Sequence, residues 1–298
     1  MIKITYLRDK LVNWGLFTIL SVIWGSSFIL MKAGMHKLTP YHVATIRILS
    51  AGIVLLPFAR KALQQVPRNK MPLIILSGLL GSFFPAYLFC IAETKVDSAL
   101  AGILNALTPF FVILVGMAFF QLKANGQKIS GVLIGFVGLC FLIAPGGNLS
   151  FEHFSYTLLI LLATLMYGIN VNMVGRHLHG VGSLNIASLA FSLLIVPCLI
   201  ILYFAGYFHL PLGNKDVLVS TLASFVLGVM GTAVATVLFY KLAKRAGTLF
   251  ASMVTYGIPF IAVLWGVLDG EKVTWMQIGC LGIILGGVYL VNKKTKQA

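Results

Sequence analysis

Acidic side chains are scarce: the chain has seven Asp and Glu among 298 residues, against 22 Lys and Arg. The seven are Asp9, Glu93, Asp97, Glu152, Asp216, Asp269 and Glu271, and none sits midway along an apolar run. No His is central in such a run either. Paired intramembrane aspartates for proteolysis are therefore excluded, and so is a His/Glu metal set. Proton-coupled carriers commonly place a carboxylate or His inside the membrane, and no residue here is an obvious counterpart. Charge of either sign is also low, at 10%, where a soluble domain carries about a quarter,. With 59% hydrophobic residues and a mean hydropathy of +0.98, the chain lacks the polar surface to face water. Lipid must cover it. Cysteine is sparse and unpaired in spacing: Cys90, Cys140, Cys198 and Cys280 all fall in apolar runs and read as packed small residues rather than disulfides or ligands,.

What is present is a succession of apolar runs. A bilayer core about 30 Å thick needs about 20 apolar residues per helix. Candidate spans lie near 13–31, 41–59, 72–92, 98–120, 128–144, 154–174, 184–205, 217–239, 248–268 and 275–292. The backbone must satisfy its own hydrogen bonds in hydrocarbon, so these spans are expected to be helices. The first run follows Lys3, Arg8 and Lys10 but lacks an A-x-A cleavage site, so it is kept as a helix,. The net charge of +15 would suit nucleic acid if gathered on one face, but the basic residues lie in short clusters between spans. With the N-terminus inside, 16 of the 22 fall in inner segments and five in outer ones, Arg47 being the one within a span. That bias places both termini in the cytoplasm and excludes a nucleic-acid partner.

Internal repetition is visible at an offset of 150. Gly78, Gly81, Leu88, Phe89, Ala101, Pro109, Phe110, Leu114 and Gly116 each meet an identical residue in the second half, and Gln121 meets Glu271. Trp24-Gly25 falls on Tyr167-Gly168 at an offset of 143. Five spans per half is an odd number, so the halves are expected to be inverted, a common architecture of secondary transporters. The expected fold is an all-α integral membrane protein. Its ten transmembrane helices form two inverted five-helix repeats around a central cavity. The divisions are a tail at 1–12, repeats at 13–146 and 150–292, and a basic tail at 293–298.

The segments WGSSFILMK at 24–32, Arg47, and LGVMGTAVATVLFYKLAKRAGTLFASMVTYGIPFIAVLWGVLDGEK at 227–272 resemble the EamA-type branch of the drug/metabolite transporter superfamily. The resemblance extends over nearly all of 14–291. It implies ten helices in two such halves, in the inner membrane, and export of amino acids and related metabolites. Family members often end the fourth and ninth spans in Gly-Glu; here the first half has Gln121.

Two prolines mark the centre of each half. Pro109 lies about 16 Å into its span. A helical proline frees the carbonyl four residues back, which belongs to Asn105 for Pro109 and to Thr255 for Pro259. The pattern predicts hinges that line a cavity, although membrane helices also tolerate prolines as simple kinks. Ser21, Trp24 and Ser27 share one face of the first helix, and Thr164, Tyr167 and Asn170 share one face of the sixth. Thr232, Thr236 and Tyr240 stripe the eighth, with Ser82 matching Thr232, and Ser252 stands near Thr255 and Tyr256. Such groups either bridge helices or line the pathway. The expected substrate site comprises Trp24, Ser27, Tyr87, Asn105, Tyr167, Asn170, Thr232, Thr255 and Tyr256, acting through amide, hydroxyl and aromatic groups rather than fixed charge. Arg47, about 9 Å inside its helix, either engages a substrate carboxylate, pairs with Glu93 or Asp97, or snorkels outward. Lys32 and Glu271 are expected to be solvated end residues. Glycines 131, 135 and 138 in the fifth helix match 279, 282 and 286 in the tenth, as a packing pair or a homodimer face. No cofactor or metal is expected. The partners are lipid and a small-molecule substrate. Alternatives to export are an importer, a passive facilitator, or a membrane scaffold that transports nothing.

Overall fold

The computed structural model describes residues 2–122, 125–143 and 151–292. The basic tail at 293–298 and the junction between the halves at 146–150 lie outside the described residues, as does the side chain of Cys140. Consecutive helical segments group into rods: α1 (Ile2–Gly34), α2 (Pro40–Gln65), α3 (Arg68–Ala92), α4 (Ser98–Phe119), α5 (Gly126–Ile143), α6 (Phe151–His177), α7 (Ser183–Phe204), α8 (Lys215–Ala246), α9 (Thr248–Leu268) and α10 (Trp275–Asn292). No strand occurs among the described residues. Eight rods are long and apolar enough to cross a membrane; α5 and α10 hold shorter apolar stretches. The expected N-terminal tail is helical from Ile2 onward and simply extends α1.

Helix starts follow local chemistry. Thr39 Oγ1 accepts from His42 N at 3.2 Å while His42 Nδ1 accepts from Thr39 N, a capping box with Pro40 at the first helical position,. Thr274 and Gln277 exchange the same pair of bonds ahead of α10. Apolar residues turn both ways. Leu20, Ile103, Leu104 and Phe191 are buried between helices, while Phe204, Trp275 and many Leu and Ile cover the outside. In water such a surface would be prohibitive; against lipid tails it costs nothing.

Three rods are broken without ending. α4 breaks at Ala106–Leu107, and Pro109 is the second residue of its new segment, where a missing N–H does no harm,. α9 breaks at Met253, so Pro259 lies inside the following helix rather than at its start. α7 breaks at Leu193–Leu194, just ahead of Pro197. α3 and α8 stay continuous but widen into π-helical turns at Leu79–Phe83 and Leu227–Val234. The first of these, moved by 150 residues, falls inside the second.

α4 and α9 run antiparallel. The first segment of α4 packs on the last segment of α9, with Gly102 against Ala262, and the second segment of α4 packs on the first of α9. α5 and α10 pack together: Gly287 lies against the backbone of Gly131 and Gly135, and Gly138 against Ile283 and Ile284, while Gly279, Gly282 and Gly286 face open space. Cys90, Cys198 and Cys280 are buried free thiols.

Candidate functional site: a polar cavity between the halves

The breaks of α4 and α9 and the two π-turns converge on one cavity of about 790 Å³, including its opening, while the break of α7 lies apart from it. α1 to α4 of the first half and α6, α8 and α9 of the second all contribute to its wall. Of the expected site residues, Trp24, Ser27, Asn105, Tyr167, Asn170, Thr232 and Thr255 line it. Tyr87 and Tyr256 are not brought there. Tyr87 exchanges a hydrogen bond with Thr45 at 2.7 Å, and Tyr256 is buried in the core. Ser82, Thr236, Tyr240 and Ser252 also reach the wall. Ser21 instead donates to the Phe17 and Val254 carbonyls, and Thr164 to that of Leu161.

Sequence reasoning passed over Phe28, Met31, Phe89, Thr108, Val171 and Phe239, which also line it. A signal existed for three of them. Phe28 and Met31 follow Trp24 at i+4 and i+7, on its face of α1. Thr108 precedes the proline, and its hydroxyl donates to the Asn105 carbonyl at 2.8 Å. The acceptor freed by Pro109 is therefore taken locally, leaving the Asn105 side chain as the group offered to the cavity. Thr255 makes a bond of the same i−3 kind to the Ser252 carbonyl, also at 2.8 Å, but that carbonyl is not the one freed by Pro259.

The π-turns serve the wall in two ways. π-helical bulges cluster at functional sites. The one in α8 presents the Gly231 carbonyl, to which Trp24 Nε1 donates at 2.9 Å, fixing the indole against the wall. The one in α3 presents Gly81, where any Cβ would overlap Asn170 Nδ2. Asn170 Nδ2 donates to Tyr240 Oη at 3.2 Å, and that hydroxyl also pairs with Ser77 at 2.8 Å.

Arg47 is also in the wall, and it does neither of the structural things expected of it. It forms no ion pair with Glu93 or Asp97 and does not reach outward. It is buried, with Nε donating to Thr232 Oγ1 across the two halves at 2.7 Å, and Nη1 lies 3.8 Å from Met31 Sδ. Among the residues lining the cavity there is no Asp, Glu or His. Among the described residues no group of His, Cys, Asp and Glu is placed to hold a metal ion.

Glu271 overturns the expectation of a solvated end. Its side chain is only 5% exposed, and its carboxylate accepts from Lys32 Nζ at 2.9 Å and from the N–H groups of Ser98 and Ala99. An acid from one half thus caps the first turn of α4 in the other, where the helix dipole favours negative charge. Lys32 also pairs with Asp269. Beside this cluster, Glu93 accepts from Ser98 Oγ through Oε2, while Oε1 is buried without a partner. Burial, and next the charge of Glu271, holds the Glu93 carboxyl well above the usual range, although the Ser98 bond, Arg47 and Lys32 act the other way,.

Known proteins resemble the chain over its whole length. Uncharacterized inner membrane transporter YedA of Escherichia coli strain K12 is 27% identical over 293 residues, spanning 96% of this chain and 92% of that one. A probable amino-acid metabolite efflux pump of Salmonella typhimurium is 24% identical over 280 residues, spanning 90% and 91%. One solved crystal structure superposes with a TM-score of 0.63 at 16% identity over 96% of both chains, a likeness of fold. The EamA-like transporter family profile matches twice, at 13–144 and 154–293, and the chain therefore belongs to that family.

Proposed function

We propose that this protein is a secondary transporter that exports small polar or amphipathic metabolites, such as amino acids, across the inner membrane by alternating access. The observation that carries the reading is the cavity, walled by both halves and lined by amide, hydroxyl and aromatic groups in an otherwise apolar bundle. A scaffold would have no use for Asn105, about 10 Å inside its helix, facing empty space. In this reading α5 and α10 complete ten crossings arranged as two inverted repeats. The bias of basic residues favours both termini in the cytoplasm, and the glycines of α10 that meet nothing, 279, 282 and 286, suit a homodimer face. The broken rods α4 and α9 act as gates, supported by their antiparallel packing and breaks at cavity depth. The relatives named as an inner membrane transporter and as an amino-acid metabolite efflux pump favour the same membrane and solute class.

The test is a cysteine at Asn105 in an otherwise cysteine-free protein, reconstituted in liposomes. Impermeant thiol reagents should reach it from both faces, with metabolite counterflow observed in the same vesicles. Labelling from neither face, with no counterflow, would leave only a scaffold. Net accumulation rather than efflux in cells would reverse the direction.

A further inference from the structure

Arg47 is the one ionic side chain among the residues lining the cavity, and it forms no ion pair among the described residues. Its exposure is 9%. Two of its five N–H groups have partners: Nε donates to Thr232, and Nη1 to the Met31 thioether, a weak acceptor, at 3.8 Å, so the Nη edge has no oxygen acceptor. Glu93, an acid that interacts with it electrostatically, forms no ion pair with it, and burial keeps that carboxyl in the neutral form to higher pH than usual. A guanidinium taken from water without a counter-ion loses hydration that nothing else offsets. In membrane proteins such residues face a partner or a water-filled path. The Nε bond locks the guanidinium plane and leaves its outer fork free, the geometry that grips a carboxylate through two parallel bonds.

A second group points the same way. Asn170 is 4% exposed, lines the cavity, and has Oδ1 buried without a partner. Its amide is fixed by Tyr240 on one side, so whichever way it is turned one polar atom stays unpaired in the wall,. Buried polar groups are rarely left unsatisfied without a reason.

We propose that Arg47 is the carboxylate-binding residue of the cavity, with Asn170 supplying a second polar contact, so that the transported solute bears a carboxylate and has zero or negative net charge. This rests on the transporter reading and narrows it. Solutes with only a cationic group would meet an uncompensated positive charge and be refused.

The test is counterflow into proteoliposomes holding the full-length protein, with an equimolar mixture of the common amino acids, their N-acetyl derivatives, their amides and their decarboxylated amines, read by mass spectrometry. Acids and N-acetyl acids should move at least tenfold faster than the matching amides and amines. Arg47→Gln should abolish that preference and reduce acid transport at least tenfold, with Arg47→Lys intermediate because it keeps the charge but not the fork. Should Arg47→Gln fail to elute as a folded species, Asn170→Asp gives a second reading: an added acid in the wall should reduce the preference for N-acetyl acids by several fold. Amines or amides moving as fast as acids would overturn the Arg47 assignment while leaving transport intact. The same follows if Arg47→Gln retains the wild-type preference, or if Asn170→Asp leaves that for N-acetyl acids unchanged. No solute moving above protein-free vesicles would overturn transport itself, and this assignment with it.

Discussion

Lys32 Nζ stands 2.9 Å from Glu271 Oε1, tying the end of α1 to the end of α9. The repeat-related place holds the same arrangement. Arg176, at the end of α6, donates through Nη2 to Gln121 Oε1 just past α4 at 3.0 Å, and through Nη1 to the Phe120 carbonyl. Because α4 and α9 are antiparallel, the two clusters lie at opposite ends of the bundle. They differ in chemistry. The first is an ion pair whose carboxylate is buried and caps α4; the second is an exposed bond between Arg and a neutral amide.

Removing Glu271 should therefore cost more than removing Gln121. Glu271→Ala leaves two N–H groups of α4 without their acceptor and Lys32 with Asp269 alone, a loss of about 2 kcal/mol. Gln121→Ala removes one exposed bond and should cost at most about 1 kcal/mol. Thermal unfolding in detergent checks the order. In liposomes, a cysteine at Ser98 should become several-fold more reactive to impermeant reagent in the Glu271→Ala background. Equal effects of the two substitutions would show that the buried carboxylate and its cap on α4 do not hold this end together.

Glycines offer a contrast within one protein. A Cβ at Gly228 would overlap Ser50 Oγ and the carbonyl oxygen of Arg47, so α2 and α8 must separate to admit it. A Cβ at Gly279 meets nothing within 4 Å. Gly228→Ala should destabilise by about 1–3 kcal/mol and move Arg47, reducing transport. Gly279→Ala should be neutral or stabilising by up to about 1 kcal/mol through helix propensity. Melting temperatures of the two variants test this, and a destabilised Gly279→Ala would place a neighbour on that face of α10.

Much of this organisation was legible because it rests on patterns local in the chain. The apolar runs and the shared faces of Trp24 with Ser27 and Tyr167 with Asn170 need only local composition and helical periodicity. The offset of 150 pointed to Gly78, Gly81, Gly228 and Gly231, but identical glycines do not say that the helix there widens to π, nor that Asn170 and Ser50 of other rods lie against Gly81 and Gly228. The prolines drew attention to the correct helices and the wrong turns. α4 breaks at Ala106–Leu107 and α9 at Met253, and the carbonyl freed by Pro109 is bonded by Thr108. The partners of Arg47 and Glu271 lie 185 and 239 residues away in the chain, and no spacing rule connects them.

Trp24 separates wall from bond. Trp24→Phe keeps an aromatic surface but removes the donor to the Gly231 carbonyl within the π-turn. The expected loss is about 1 kcal/mol, with a several-fold fall in transport as the ring loses its fixed orientation. Trp24→His offers a ring N–H near the same place and should recover part of the transport. Proteoliposome rates for the pair decide it. Equal rates for the two would show that the bond to α8 is not what positions the ring.

Glu93, the first residue beyond the α3 span, makes stability depend on pH. Its buried carboxyl is held well above the usual range, by burial first and the Glu271 charge next. In the unfolded chain it titrates near about 4.3. Between that value and the raised native one, the folded protein binds more protons than the unfolded, so stability falls as pH rises through this interval and levels off above it. Glu93→Gln cannot ionise and keeps an acceptor for Ser98. It should flatten the decline and be more stable than the native protein at pH 7.5, by at least about 1 kcal/mol or roughly 2 °C in melting temperature. Below pH 4 the two proteins should converge. Melting curves across pH 4 to 8 give the comparison. A Glu93→Gln variant with the same slope as the native protein, or with lower stability at pH 7.5, would mean that Glu93 is ionised in the fold and compensated by Lys32 and Arg47.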